Sequence, residues 1–243
     1  MADVIFMTGA RGGAGVTTCA VNLGYALSDE GERTLLVDGD NRCGSGLEIC
    51  GLQNLSVYTL GDVEKGACRV KQAILQHPVH TNLYVLPSLD CASSACIEQA
   101  VKECEPLFDR IICDGVAQGA CRRALLVTSP YSCFLQSAKR RGAEIKDAGF
   151  KDVGLVANRV NGGLVYDGSI LPPKEFAAVA RVPLCGVIPE DLTLPVGKIR
   201  AGTKRAFFYL AAALMGRSDR IYSAVKPYAG LKGKIKRKLR ESV

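Results

Sequence analysis

Residues 4–28 read VIFMTGARGGAGVTTCAVNLGYALS, and the rest of the chain is organised around them. Four apolar residues, Val4, Ile5, Phe6 and Met7, predict a short buried strand. They empty into Gly9-Ala10-Arg11-Gly12-Gly13-Ala14-Gly15, which is too rich in glycine for anything but a tight loop. Helical periodicity begins at Val16 or Thr17 and runs to about Ser28, with Gly31 as its stop. Strand, glycine loop and helix N-terminus together make an anion cradle. The glycines let successive backbone N–H groups turn towards one ligand, and the helix dipole adds about half a positive charge. A glycine turn that holds nothing is the plainer alternative.

Outward from this unit, apolar strands alternate with helices. Strands are expected at 33–38, 82–87, 108–114, 124–128, 152–158 and 183–188, so the opening strand makes seven. Helices are expected at 92–105 with Ser93 or Ser94 as N-cap, at 131–147, and from Gly202 or Thr203 to Met215; shorter ones are expected at 47–50, from 56–61, and at 70–75. The pattern predicts an α/β fold: a single doubly wound, mostly parallel sheet flanked by helices. No linker, repeat or low-complexity tract divides it, giving one domain over 1–216 and a C-terminal appendage over 217–243.

The 243 residues suit one α/β domain with a large core, and 48% apolar content predicts a globular chain. No run of about 18 apolar residues predicts a membrane span, and Asp3 directly behind Met1-Ala2 is unlike a signal peptide. A cytoplasmic location is expected. The eleven cysteines are odd in number and contain no C-x-x-C pair, which argues against a disulfide framework or a zinc ribbon. Most fall in apolar runs and read as small buried hydrophobes; Cys91-x4-Cys96 is the one spacing that stands out. His77 and His80, in HPVH, read as a loop rather than a metal site. The net charge of +7 is a property of residues 217–243, where nine Lys/Arg face only Asp219 and Glu241; the remainder nets zero.

In a parallel sheet, ligands sit beyond the carboxyl ends of the strands, where residues 9–18, Asp38, Asp114 and Asn158 all fall. Asp38 and Asp40 close the second strand and can hold Mg²⁺ waters or orient a nucleophilic water; a solvated loop is the alternative. Ile111-Ile112-Cys113-Asp114 delivers another carboxylate at a strand end. Asn158-Arg159 pairs an amide that can bond a purine edge with a guanidinium that can stack on its face. In the tail, Leu231, Ile235, Leu239 and Val243 recur every four residues, so a helix there has one narrow apolar stripe among Lys232, Lys234, Lys236, Arg237, Lys238 and Arg240. Such a segment suits a shallow, largely electrostatic contact with anionic lipid; a solvated basic tail is the alternative.

Arg11-Gly12-Gly13-Ala14-Gly15-Val16-Thr17-Thr18 resembles the deviant P-loop of the MinD/ParA ATPases, K-G-G-x-G-K-[ST]-[ST]. The likeness extends over roughly residues 3–215: residues 37–40 resemble the family's switch I, 109–114 its Walker-B strand, Asn158-Arg159 its adenine-side motif, and Gly186-Val187-Ile188-Pro189-Glu190-Asp191 its late strand and turn. Tyr58-Thr59-Leu60-Gly61-Asp62-Val63 and Asn82-Leu83-Tyr84-Val85-Leu86-Pro87 are more similar to the MinD branch, which acts in division-site placement. The resemblance implies ATP/ADP and Mg²⁺ as ligands. It assigns nucleotide binding to Gly12, Gly13, Ala14, Gly15, Val16, Thr17, Thr18, Asn158, Arg159 and Pro189, and Mg²⁺ to Thr17 with Asp38 and Asp114 in its outer shell. Asp40 would position the attacking water, and Arg11, at the signature-lysine position, would reach the nucleotide of a second subunit.

A nucleotide-dependent homodimer, an unidentified protein effector and an anionic membrane surface are the implied partners. By this resemblance Leu231, Ile235, Lys236, Arg237 and Leu239 would form a membrane tail, peripheral on the inner face of the cell membrane, and nucleic acid is disfavoured by the neutral body. Three departures stand out. Val16 occupies the P-loop lysine position, residues 114–119 lack the proline the family often has after this acid, and only residues 115–123 separate Asp114 from the next strand. Two readings follow: an ATP-hydrolysing switch, or a catalytically degenerate pseudo-ATPase scaffold on the same fold.

Overall fold

The computed structural model of the chain describes residues 1–39, 46–88, 93–194 and 197–229. In chain order these form β1 (Asp3–Gly9), α1 (Val16–Asp29), β2 (Thr34–Asp38), α2 (Gly46–Ile49), α3 (Leu60–Glu64), α4 (Val70–Ala73), β3 (Leu75–Gln76), β4 (Leu83–Pro87), α5 (Ser94–Cys104), β5 (Arg110–Asp114), β6 (Arg123–Thr128), α6 (Ser132–Asp147), β7 (Asp152–Val160), α7 (Gly162–Tyr166), α8 (Pro173–Ala180), β8 (Leu184–Pro189) and α9 (Ala201–Leu214). The strands make one eight-stranded sheet in the order β3-β4-β2-β5-β1-β6-β7-β8. The expected mostly parallel α/β sheet flanked by helices is what the chain forms. Packing divides it into two compact units: Met1–Gly9, Gly15–Leu125 and Ile145–Val153 in the first, and Ala10–Ala14, Leu126–Glu144 and Gly154–Val243 in the second.

In the first unit β1, β2, β4 and β5 are parallel, and β2 is buried along its whole length. Both faces of these strands are covered, which is why they read as continuous apolar runs. Val4, Leu35, Val37, Ile111 and Cys113 form a core with Leu60, Ile97, Val101 and Phe108 from the covering helices and loops. Each fully buried aliphatic side chain there contributes about 1.5–3 kcal/mol. The register sets Asp38 directly opposite Asp114, and Met7 opposite Asp114 on the other side. Two carboxylates therefore leave adjacent parallel strands at the same level, strands being about 4.8 Å apart.

β3, a two-residue antiparallel edge strand beside β4, occupies the end of the segment expected as a helix over 70–75. The helix stops at Ala73 because Ile74 is already extended (φ −81°, ψ 127°) and Pro78 further on bars a helical His77. His77 N–H instead donates to Leu83 O at 2.8 Å, closing a hairpin. The two histidines serve this loop: His77 Nδ1 accepts from His80 N–H at 2.9 Å, and His80 Nδ1 lies 2.8 Å from Asp29 Oδ1.

In the second unit β7 runs parallel to β8, and α9 packs on β8 so closely that a Cβ on Gly186 would stand 3.0 Å from Leu210 Cδ1. β7 extends two residues past Asn158, through a bulge at Arg159 (φ 54°). Two helices were not expected. α7 starts on Gly162-Gly163, a poor helical sequence, and is held by Asn161, whose Oδ1 accepts from Gly163 N–H and Leu164 N–H. α8 begins at Pro173, where a missing N–H costs nothing. Residues 217–229 then double back along α9. The Arg220 guanidinium lies 5.7 Å over the Tyr209 ring, the Tyr222 hydroxyl faces Gly202, and Ala224 O presses against Gly162.

Candidate functional site

The glycine loop is built as the sequence requires. Gly13 (φ 76°) and Gly15 (φ 85°) take left-handed conformations that side-chain-bearing residues rarely adopt. A Cβ built on Gly12 or Gly13 meets no heavy atom within 4 Å, so the loop faces open space rather than packed protein. The loop is anchored by Ala10 N–H, which donates to Val127 O at 3.1 Å, and by Asn158, whose Nδ2 donates to Ala14 O at 2.9 Å.

Gly15 is the N-cap of α1. It offers no side-chain cap, and the first turn contains no acid. The leading N–H groups of a 14-residue helix are thus left to a ligand or to water. Val16, Thr17 and Thr18 are all half-buried at that start.

Asp38 and Asp114 are both buried. Asp38 Oδ2 accepts the Leu47 N–H at 2.8 Å, while its carbonyl accepts the Ser88 hydroxyl at 2.6 Å. Gly39 follows Asp38 at a point of very close approach: a Cβ there would lie 2.1 Å from Val116 Cγ1 and 2.5 Å from the Asp114 carbonyl oxygen. A methyl side chain can push Val116 aside but not the backbone of Asp114. Gly39→Ala is therefore expected to cost about 1–3 kcal/mol, read as a lower denaturation midpoint, and Gly39→Ala with Val116→Ala should recover part of the loss. A Gly39→Ala variant as stable as the parent would contradict this packing.

Beyond Asp114 the chain turns through Gly115 (φ 72°) and Ala117 (φ 56°) into a single 3-10 turn, Gln118–Ala120, before β6. Gly119 N–H donates to Glu98 Oε1 at 3.0 Å and pins that turn to α5. The short connection expected from the sequence is what forms.

Other expected site residues fall as follows. Asn158 is buried and already committed: besides its bond to Ala14 O, its Oδ1 accepts the Arg159 N–H at 2.9 Å. It braces the loop, and one Nδ2 hydrogen remains for other use. Arg159 is exposed in a left-handed conformation, and Pro189 ends β8 half-buried. Arg11 is exposed, with its guanidinium 5.6 Å over the Phe134 ring, a cation–π contact. Asp40 and the tail residues Leu231, Ile235, Lys236, Arg237 and Leu239 lie outside the described residues, as does Cys91.

Cys19, Cys50, Cys104 and Cys113 are buried thiols; burial pushes Cys104 and Cys50 up to about 11, the wrong direction for nucleophiles. No cluster of three or more His, Cys, Asp or Glu able to hold a metal occurs among the described residues.

Asp191 received no role of its own from the sequence, yet it organises the turn after β8. Its Oδ1 accepts from Thr193 N–H and Oγ1, and its Oδ2 accepts from Arg200 N–H at 2.9 Å and Thr203 Oγ1 at 2.8 Å. Burial pushes its carboxyl up, but the bonds from Thr193, Arg200 and Thr203 outweigh burial and hold it down at about 2. Asp followed two residues later by Thr is an Asx-turn signal that could have been read.

Within the first unit a phosphate fits the uncapped start of α1, and a hard divalent cation suits the oxygen donors of Thr17, Asp38 and Asp114; the glycine loop of the second unit is open. The one cation a phosphate site usually adds here is replaced by Val16. Strand, glycine loop, helix and paired strand-end acids in a parallel sheet define a P-loop nucleotide-binding fold.

Comparison with known proteins agrees. A family model described as an AAA domain matches residues 2–117. The septum site-determining protein MinD of Thermotoga maritima is 32% identical over 207 residues, covering 79% of this chain and 76% of that protein. A chain of the MinC:MinD cell division protein complex of Aquifex aeolicus superposes with a TM-score of 0.83 at 25% identity, over 89% of this chain and 97% of that one. The septum site-determining protein MinD of Pyrococcus horikoshii, complexed with Mg-ADP, gives 0.77 at 27% identity, over 88% and 96%. The chain belongs to the MinD/ParA family of P-loop ATPases, and its relatives include septum site-determining MinD proteins.

Proposed function

We propose that this chain is a MinD-like switch that binds Mg²⁺-nucleotide through its glycine loop, more weakly than a chain with the P-loop lysine, and acts in placing the division site or a similar spatial task. The observation that carries the reading is the open loop at Gly12 and Gly13 leading into an uncapped helix start. The backbone N–H groups of Gly12, Gly13 and residues 15–18 would donate to the phosphates, Thr17 would offer its hydroxyl to the metal, and Asp38 and Asp114 would hold the metal's waters. The bound nucleotide would supply a phosphoanhydride, with Mg²⁺ offsetting part of its charge. A charge-assisted hydrogen bond is worth about 1.5–3 kcal/mol, so the missing ammonium lowers affinity roughly 10- to 100-fold, while the backbone cradle remains. Arg159 and Pro189 would flank the base, Asp40 would orient water, and Arg11, once off Phe134, would reach the nucleotide of a second subunit.

The Pyrococcus relative complexed with Mg-ADP and the Aquifex relative in complex with MinC support a nucleotide ligand and a protein effector. Residues 217–243 would carry the membrane contact as a peripheral, cytoplasmic-face attachment. No helix among the described residues is long and apolar enough to cross a membrane. Removal of residues 231–243 is expected to abolish co-sedimentation with phosphatidylglycerol vesicles; undiminished sedimentation would contradict the tail assignment.

A second reading is favoured by Val16 together with the single 3-10 turn after Asp114: a pseudo-ATPase scaffold that turns nucleotide over little or not at all. A fluorescent ATP analogue titrated with Mg²⁺, alongside a phosphate-release assay, separates the two. Binding with release supports the switch, binding without release supports the scaffold, and no binding ends the ATPase reading and leaves only the scaffold.

A further inference from the structure

Positive charge is not confined to the tail. Residues 192–229 hold seven Lys/Arg against Asp219 alone, a net of +6; residues 230–243 hold six against Glu241, a net of +5; residues 1–191 are left at −4. The described part of that basic segment is α9 with the chain on either side of it. One face of α9 packs on β8 through Phe207, Leu210 and Ala211, which are buried. The other carries Lys204, Arg205 and Phe208, all exposed and spaced to share a helix face. Arg205 acts electrostatically on Tyr222 and Arg220 lies over the Tyr209 ring, so the returning segment sets one further cation, Arg220, beside α9. Large apolar side chains stand exposed among the charges: Phe208 at 43% and, just before the helix, Leu192 at 76%, with Ile199 beside Lys198 and Arg200.

We propose that this face of α9 is a second membrane-docking surface, seating the folded body on an anionic bilayer. The occupant is argued from charge and from residue type. A net of +6 with a single acid complements anionic headgroups, and exposed Phe, Leu and Ile suit the headgroup–acyl boundary. Residues 192–229 contain no Asn or Gln to read base edges, and exposed aliphatic side chains are out of place at a nucleic-acid interface, which is polar and strongly charged. The inference deepens the membrane reading proposed above by adding Lys204, Arg205 and Phe208 of α9, which lie outside residues 217–243: the tail tethers, and α9 fixes which way the body faces.

The chain contains no tryptophan, so a single one reports cleanly. In the otherwise unaltered full-length chain, Phe208→Trp is expected to give a blue-shifted, stronger emission on phosphatidylglycerol vesicles and no change on pure phosphatidylcholine. Val57→Trp, exposed and outside the basic segment, should stay unshifted on both. Lys204→Glu with Arg205→Glu should weaken binding to the anionic vesicles at least about tenfold. An unshifted Phe208→Trp on vesicles that the chain does bind would overturn the docking face while leaving the tail reading intact. A retained Phe208→Trp shift after deletion of 231–243, with binding undiminished, would uphold the face and sink the tail. A shift with duplex DNA in place of vesicles would overturn the proposal. If the charge-reversed variant fails to fold, the tryptophan reporter decides alone.

Discussion

Val16→Lys is expected to tighten Mg²⁺-ATP binding roughly 10- to 100-fold. The position lies at the start of α1, immediately after Gly15, where the loop leaves open space and helix N–H groups point outwards. A lysine there adds a point charge to a cradle whose other walls are in place, and each charge-assisted bond to phosphate is worth about 1.5–3 kcal/mol. If hydrolysis occurs, the same substitution should raise its rate, because charge developing on the transferred group gains a fixed cation. Calorimetric affinities of parent and variant check the first expectation and phosphate release the second. Unchanged affinity would place the fault elsewhere, with the Arg11–Phe134 contact and the shortened turn after Asp114 as the remaining differences.

The second large effect concerns Asp191. Its substitution by alanine strands the buried Thr203 hydroxyl and the Arg200 N–H at the start of α9 and dissolves the turn that Thr193 closes. Losses of one or more buried, charge-assisted bonds sum to about 3 kcal/mol, or a melting temperature roughly 6–12 °C lower for a chain of this size. The pH dependence has a definite sign. The Asp191 carboxyl lies at about 2 in the folded chain against its ordinary 3.8. A depressed acid stabilises the fold above the unfolded value, and that stability is lost as the pH falls through the folded one. About 2 kcal/mol should therefore disappear between roughly pH 4 and pH 2. Denaturation midpoints across that range should fall less steeply for Asp191→Asn than for the parent. Parallel curves would mean that the carboxylate is not held as described.

The contrast between these two positions shows what a sequence makes legible. The opening strand, glycine loop and helix are written locally: an apolar run, residues free to take positive φ, then 3.6-residue periodicity, so the loop and α1 formed where expected. The strand-end acids were equally accessible, because Asp38 and Asp114 each close a continuous apolar run. What the sequence hid depends on residues brought together from afar or on elements too short to show a period. β3 has two residues and exists only because β4 accepts it. α7 opens on two glycines and depends on the Asn161 cap. The Asp191 network joins positions up to twelve apart, and the need for glycine at position 39 is set by Val116 and the Asp114 carbonyl. Asn158 was legible as the residue that ends an apolar run, but not that its amide would hold the loop at Ala14.

The central claim is that a glycine cradle without its lysine still holds nucleotide. Isothermal titration of Mg²⁺-ATP into the unaltered chain tests it most directly. One nucleotide per chain with a dissociation constant on the order of micromolar to a few hundred micromolar, equivalent to roughly 5–8 kcal/mol, is the predicted result. No heat of binding and no thermal stabilisation at millimolar nucleotide would contradict the account.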